Sequence, residues 1–550
     1  LPCVTIIIYR LHSKTSYFFK SYYYFLSKIT YIIISLHVHD QEKRSAFEFK
    51  ATKIMLLAFL VGLAVAFLAH QFYWRRRRLP PGPLPLPVLG NMLPIIRDGA
   101  PYRSLQKWKE HYGPVYTYWL GGMPIVCVSD AETIKAVFVG DGDNYLDRAP
   151  FGDMSELVRG GNYGVLETSG ELWREHRRFT LHTLRDFGLG KAAMQHKIQD
   201  EIEYTIKELD AAAASGPVDI SKIMDRTVGS VINLAIFGYR FNESNIGEFS
   251  EIRDFFDEHT RSLSCPVAIL LLMFIWLRHL PYFDKKWLEM TSRLDRLNGF
   301  FRKQIARHRE EIELDSPESS DYCEAFLKEM KKRADEPDST FSEPQLLNMC
   351  FDLWFAGMET TSSTLTWAVI YLICHPEVQE RAHEEIARSV GVDRLVGMED
   401  RQQLPYVSAI VAETQRCSNI VSQTPLRKAA VDTVINGVTV YAGTTICAQV
   451  SVPLYDPEVF PAPESFDPSR FLDASGAVRR IDEFMPFSVG KRACLGEGLA
   501  RMELFLVIAN LLQRYEILPE IAGQPPSMAR TMTSGLKPQR FLCRLRERQQ

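Results

Sequence analysis

The sequence predicts a mainly helical protein with small β-sheets, carried behind a single membrane-spanning helix. Three observations predict it. Residues 55–74 are an almost unbroken apolar run closed by four arginines. From residue 80 onward the chain shows long helical patterns and only short Val/Ile-rich pieces. Of its 550 residues, 46% are apolar, enough to bury a large core. The net charge of −3 selects no partner, and no nucleic-acid partner is expected. The ten cysteines are scattered without a paired framework, which suits a body in a reducing compartment.

Residues 1–54 open with Leu1 and contain no methionine; Tyr, Phe and Ile runs are broken by Arg10, Lys14, Lys20 and Lys28. They are expected to be a non-native or upstream extension, with Met55 as the natural start. A targeting presequence ranks second, because acids are absent until Asp40 but Tyr and Ile dominate. Residues 55–74 then supply twenty helical residues, a rise of about 30 Å, enough to cross a bilayer. Tyr73 and Trp74 fall at the interface, and Arg75 to Arg78 keep the following chain on the cytosolic side. Length, arginine stop and the lack of a small-residue cleavage site argue against a cleaved signal peptide. Residues 79–90 are a proline-rich hinge, read as a semi-rigid spacer ahead of one globular domain over 91–550.

Within that body, residues 115–120 and 125–129 read as a strand pair around Gly121-Gly122-Met123-Pro124. Residues 172–179 read as an amphipathic helix with Trp173 and Arg177 four apart on one face. Residues 265–277 are strongly apolar but short for a span; a core helix is the default, and a second, monotopic membrane contact is the further expectation. Residues 310–338 are charged and read as a surface linker. Ser342-Glu343-Pro344 starts a long apolar helix that His375-Pro376 ends. Inside it, Ala356-Gly357-Met358-Glu359-Thr360-Thr361 places a Gly, an acid and hydroxyls where burial makes them costly unless they have a task. A helix–helix contact through small residues is the plain alternative. Glu413 and Arg416 share a helix face, and Arg470 follows in Phe466-Asp467-Pro468-Ser469-Arg470-Phe471.

The strongest signal is Phe487-Ser488-Val489-Gly490-Lys491-Arg492-Ala493-Cys494-Leu495-Gly496-Glu497-Gly498-Leu499-Ala500. A cysteine here enters a helix, where the dipole and unpaired N–H groups favour thiolate. Gly490 and Gly496 would let the backbone approach the sulfur, and Arg492 adds a fixed charge. A lone cysteine is more often buried and inert. The spacing changes those odds: Phe, Gly, Arg, Cys, Gly and Ala at relative positions 1, 4, 6, 8, 10 and 14 match in full the haem-binding signature of the cytochrome P450 family, which the chain resembles over about residues 72–545. A zinc site is a poor rival, since no second Cys or His lies at ligand spacing in the loop. Met485-Pro486-Phe487-Ser488 and residues 179–188 resemble the animal microsomal family-2 type.

The resemblance implies haem b with Cys494 as thiolate ligand to the iron, which favours O–O cleavage. It implies Trp173 and Arg177 at a haem propionate, Arg148 and Arg427 as further propionate partners, and Arg492 and Phe487 at the cofactor. Thr360 would hydrogen-bond dioxygen and Glu359 would help deliver protons. The Glu413, Arg416 and Arg470 network would be structural. Ser469 stands where the family usually has Glu, and Ser422 and Pro425 depart from its common proline pattern. The implied activity is monooxygenation of a small apolar substrate (xenobiotic, steroid or fatty-acid-like). Electrons would come from NADPH through NADPH–cytochrome P450 reductase, with cytochrome b5 an optional second partner. Lys491 and Arg178 are the expected reductase contacts. The setting would be the endoplasmic reticulum membrane, in contact with lipid. Substrate-pocket segments are expected at 148–166, 258–275, 421–427 and 531–536. The alternatives are an oxygen-independent isomerase or lyase on the same fold, and a non-catalytic haem sensor.

Overall fold

The computed structural model describes residues 41–87, 89–97, 101–149, 159–188, 192–263, 265–312, 316, 318–532 and 536–548. They fall into two units, divided between Arg77 and Arg78. The expected extension therefore lies mostly outside the described residues. In the first unit, α1 (Gln41–Phe72) runs through the apolar stretch and begins ahead of Met55. An 18-residue window within its segment Phe49–Arg76 has a mean hydropathy of 2.3 and no buried residue, as suits a helix whose solvent is lipid.

In the second unit the proline-rich segment is not a free spacer. Pro81 O accepts the Thr117 N–H at 2.8 Å, and Gly90 bridges to Leu120, so the segment docks on the edge of a sheet. That sheet contains β1 (Val115–Leu120) and β2 (Met123–Val128), antiparallel, with Leu120 opposite Met123. The turn is thus Gly121-Gly122, shorter than expected, and Pro124 stands inside the strand. Proline is tolerated there because β2 pairs on its other side only from Val126 to Val128.

Helix α2 (Gly170–Asp186) carries Trp173 and Arg177 as expected. Next come α3 (Ile220–Phe237) and α4 (Ile246–Leu263). The apolar stretch 265–277 breaks at Phe274 into α5 (Pro266–Met273) and a 3-10 turn, Ile275–His279, followed by α6 (Pro281–Glu311). Trp276, Tyr282 and Leu288 around this break are 60, 60 and 63% exposed. The charged region 310–338 is not simply a linker. It contains α7 (Tyr322–Lys332), capped by Asp321, which accepts the Glu324 N–H at 2.9 Å and buries Tyr322, Cys323, Phe326 and Leu327. The acids around it mask an i, i+1, i+4, i+5 apolar face in the sequence.

The core is built on α8 (Glu343–Cys374), capped by Ser342 and ended by His375-Pro376. Trp354, Met358 and Trp367 of α8 are wholly buried. Gly357 lets α3 come close: a Cβ there would lie 2.8 Å from Ile232 Cδ1. The helix-contact reading therefore accounts for this glycine. Beyond it, α9 (Pro405–Ser418) holds the buried ion network. Arg416 Nε meets Glu413 Oε2 at 2.6 Å and Arg470 Nε meets Glu413 Oε1 at 3.1 Å.

The remaining strands are short: β3 (Arg427–Lys428), β4 (Thr433–Ile435), β5 (Val438–Val440), β6 (Thr445–Ala448), β7 (Tyr515–Pro519), β8 (Arg530–Met532), β9 (Leu536–Pro538) and β10 (Cys543–Glu547). The first sheet has the order β1-β2-β6-β3; the others are two-stranded pairs. The apolar helix after the cysteine loop is α10 (Glu497–Arg514).

Candidate active site

The cysteine loop is shaped by its backbone. Gly490 has φ +78, and a Cβ there would fall 1.9 Å from Phe138 O. Its glycine serves this close packing. The Cys494 N–H donates to Phe487 O at 3.0 Å, folding the loop back, and Gly496 caps α10. Backbone N–H groups of Gly496 and Glu497, together with Arg177, favour the thiolate, yet burial outweighs them and the thiol is pushed above its ordinary value. The helix N-terminus alone therefore does not ionise this sulfur; a metal cation bound to it would complete the shift. Cys494 is enclosed by protein, but its remaining surface is exposed to a cavity.

That cavity has a volume of about 300 Å³ and a mostly apolar lining. Helix α8 contributes Ala356, Gly357, Thr360 and Thr364, and the cysteine loop contributes Phe487, Arg492 and Cys494. Trp173 and Arg177 of α2 and Arg148 complete the charged end, and Val165, Leu166, Val421 and Pro425 the apolar one. Thr360 Oγ1 bonds Ala356 O at 2.8 Å, and Thr364 Oγ1 bonds Thr360 O at 2.8 Å. These are the one-turn-back bonds that hydroxyls in a buried helix invite. A larger open groove of about 1160 Å³ runs past Phe487, Arg401 and Arg501. Neither Cys494 nor Thr360 lines it, so the chemistry belongs to the smaller cavity.

Four arginines converge at the charged end. Arg177 Nη2 donates to Ala493 O at 2.6 Å, beside the cysteine. Arg492 lies 3.7 Å from the Trp173 ring, with Nε on Leu146 O at 2.9 Å and Nη2 on Thr168 O at 2.7 Å. Its Nη1 and the Nε of Arg427 are buried and find no hydrogen-bond partner among the described residues. Burial and then repulsion from Arg148, Arg427 and Arg177 pull Arg492 down to about 8. Burial, and the same mutual repulsion, bring Arg427 to about 9. Arg148 falls to about 10, chiefly through burial. Such a cluster is costly to bury, and an anion beside it would lower that cost. Two carboxylates carried on a flat apolar ligand above Cys494 fit this donor set, as haem propionates would.

Several expected residues stand elsewhere. Arg427 does not line the cavity: it is buried one layer back, paired with Arg148 across a β-bridge and packed 4.6 Å from the Phe138 ring. Glu359 does not line it either. The helix turns its carboxylate to the opposite side, where it touches Lys537 Nζ and lies 3.9 Å from Arg253 Nη1. Arg253 in turn binds Asp225 at 2.8 Å and Asp257 at 2.6 Å. Within segments 258–275 and 531–536, none of the side chains of residues 258–260, 262, 265, 267, 268, 270, 271, 274, 275 and 531, the ones described there, lines the cavity. Residues 150–158, 264 and 533–535 of the expected pocket segments lie outside the described residues.

The sequence reading missed Asp352, Gln415 and Glu503, all cavity-lining. Glu503 is buried, its Oε1 has no hydrogen-bond partner among the described residues, and burial alone raises it to about 8. Its only sequence signal is an acid inside the apolar run of α10.

Comparison with known proteins agrees with this geometry. Residues 80–544 match the family described as Cytochrome P450. Among curated proteins, the chain is 34% identical to cytochrome P450 2C70 of Rattus norvegicus, over 84% of this chain and 94% of that one. It is 34% identical to cytochrome P450 2B4 of Oryctolagus cuniculus, over 84% and 92%. It is likewise 34% identical to cytochrome P450 2C8 of Homo sapiens, over 83% and 92%.

Proposed function

We propose, from the premise that this chain belongs to the cytochrome P450 family, that it oxygenates a small apolar substrate of the xenobiotic, steroid or fatty-acid-like kind. The family implies a haem-thiolate cofactor and a redox partner. We assign the cofactor to the cavity above Cys494, with electrons from NADPH through a membrane-bound reductase and the catalytic domain on the cytosolic face of the endoplasmic reticulum.

One observation carries this reading: a cavity-facing thiol, a threonine-bearing helix and a cluster of buried arginines meet around one apolar space. Bound haem supplies the site for dioxygen activation. Cys494 would ligate the iron, and its position is fixed by the Phe487 carbonyl and by Arg177 through Ala493 O. Arg148, Arg177 and Arg492 would hold the propionates, with Arg427 supporting from behind, and Trp173 and Phe487 would help hold the cofactor in the cavity. Thr360 lines the cavity with its hydroxyl bonded to Ala356 O, and would offer that oxygen to a bound ligand. Glu359 serves as a proton donor only after its carboxylate turns from Lys537, so proton delivery is gated by that pair. The exposed Trp276, Tyr282 and Leu288 support a second membrane contact at the start of α6. Lys491, held to Asp143 at 2.5 Å, and the exposed Arg178 are the proposed reductase contacts.

The test is product formation from a panel of apolar substrates with purified reductase. NADPH and O₂ must both be required. An oxygen-independent isomerase has one observation in its favour, the withdrawal of Glu359 from the cavity. Conversion of a hydroperoxide at full rate without NADPH or O₂, and no NADPH-driven product, would select it.

A further inference from the structure

The loop at residues 159–168 touches both parts of the site, and α8 grips it with three side chains. Gln345, Asn348 and Asp352 stand at i, i+3 and i+7, so they share a helix face. Gln345 Oε1 accepts the Gly164 N–H at 2.8 Å, and its Nε2 donates to Gly164 O at 3.2 Å. Asn348 Nδ2 donates to Arg159 O at 3.2 Å. Asp352 is wholly buried. Its Oδ2 accepts the N–H groups of Val165 at 2.8 Å and Leu166 at 3.0 Å, and its Oδ1 meets Arg159 Nη1 at 2.8 Å. Gly164, at φ +87, leaves the room this needs: a Cβ would stand 2.4 Å from Asp352 Oδ2. A buried carboxylate is costly unless its lone pairs are met, and here the loop's own groups meet them.

The opposite side of the same loop holds the arginines. Leu166 O accepts from Arg148 Nε at 2.7 Å, and Thr168 O accepts from Arg492 Nη2 at 2.7 Å. Ser169 Oγ, the next residue, accepts the Arg148 N–H at 2.8 Å. Leu166 therefore bridges the two systems, its N–H on Asp352 and its C=O on Arg148. Its side chain and that of Val165 wall the cavity.

We propose that this loop is a latch coupling the seating of the cofactor to the shape of the substrate wall, with Asp352 as its positioning residue. It rests on the haem reading of the arginine cluster. An anion that fixes Arg148 and Arg492 fixes the Leu166 and Thr168 carbonyls, and so the apolar wall. Asp352 holds the other edge, so loosening either side loosens the wall.

The test uses the holoenzyme and three readouts. The first is amide hydrogen exchange over residues 159–168. The second is titration with imidazole, which reports on the metal alone. The third is titration with 1-phenylimidazole, whose ring also reads the wall. Asp352→Asn keeps shape and removes the charge. It should speed exchange at Val165 and Leu166 by about tenfold and weaken 1-phenylimidazole by about fivefold, the scale of one weakened charge-assisted bond. Imidazole affinity should stay within about twofold. Arg148→Met should speed exchange at the same amides from the other side. If Asp352→Asn does not fold, Gln345→Leu should give the same pattern with smaller changes. Unchanged exchange in the folded variants, or equal weakening of both ligands, overturns the latch. The carbon monoxide difference spectrum separates the two ideas: a thiolate band retained in the variants leaves the haem reading intact whatever the latch does, and its absence from wild type removes the haem reading itself.

Discussion

At the scale of single residues, the site is an argument about where charge is left unpaid. Burial lowers Arg148, Arg177, Arg427 and Arg492 from their ordinary values, and repulsion between neighbouring guanidiniums adds to it for Arg148, Arg427 and Arg492. Replacing Arg492 by Met should relieve that repulsion in the cofactor-free protein and weaken haem retention in the loaded one. The measurements are thermal stability without haem, expected unchanged or higher, and the rate of haem transfer to apomyoglobin, expected at least about tenfold faster for one lost charge-assisted contact. Glu359 and Lys537 make the second residue-level prediction. Glu359→Gln should lower coupled turnover and raise peroxide release, about 10²-fold at most for a positioned acid. Lys537→Met removes the partner that withdraws the carboxylate, so the solvent isotope effect on turnover should shrink. An unchanged isotope effect would mean that the pair does not gate protons. The Glu-Thr motif was legible in sequence, but the side of the helix its carboxylate takes was not. That is decided by Lys537, far along the chain on β9.

At the scale of elements, two buried charge systems hold the helices. Glu413 in α9 accepts from both Arg416 and Arg470 and is itself wholly buried. Glu413→Ala would strand two guanidiniums and should cost about 3–5 kcal/mol, read by denaturant unfolding. The second system joins α6 to the cap of α7. His308 Nε2 lies 3.1 Å from Asp321 Oδ2, and its Nδ1 lies 3.1 Å from Gln304 O. Burial works against the charged ring, but the Asp321 bond and charge win and raise His308 to about 9. Its folded value is thus above its unfolded one. The stabilisation, about 2–3 kcal/mol, is fully present below pH 6.5 and is lost as pH rises through about 9. His308→Gln should destabilise the protein at pH 6 and much less at pH 10. The start and end of α8 were legible because Ser342, Pro344 and His375-Pro376 are local signals. Helix α7 was not, because its buried face is four residues wide amid acids. The break at Phe274 was not either, since apolar content alone does not say where a helix stops.

At the scale of the molecule, the order of motifs revealed the family, while their convergence had to be seen. Cys494, Thr360, Trp173, Arg177 and Arg148 come from four separate parts of the chain and line one cavity. Asp352 and Glu503 also line it, but nothing local in the sequence marks an acid in an apolar helix as cavity-facing. The exposed apolar residues at the start of α6 predict that a chain beginning at Leu79 still binds liposomes. Trp276→Ser together with Leu288→Ser should release it into the soluble fraction after flotation; equal flotation of both forms would remove the second membrane contact. The central claim is that Cys494 holds haem iron as thiolate, and its most direct test is the difference spectrum of the ferrous protein with and without carbon monoxide, taken beside Cys494→His. A strongly red-shifted Soret band in wild type, lost in the variant, is the predicted result. An unshifted band in folded wild-type protein would contradict it.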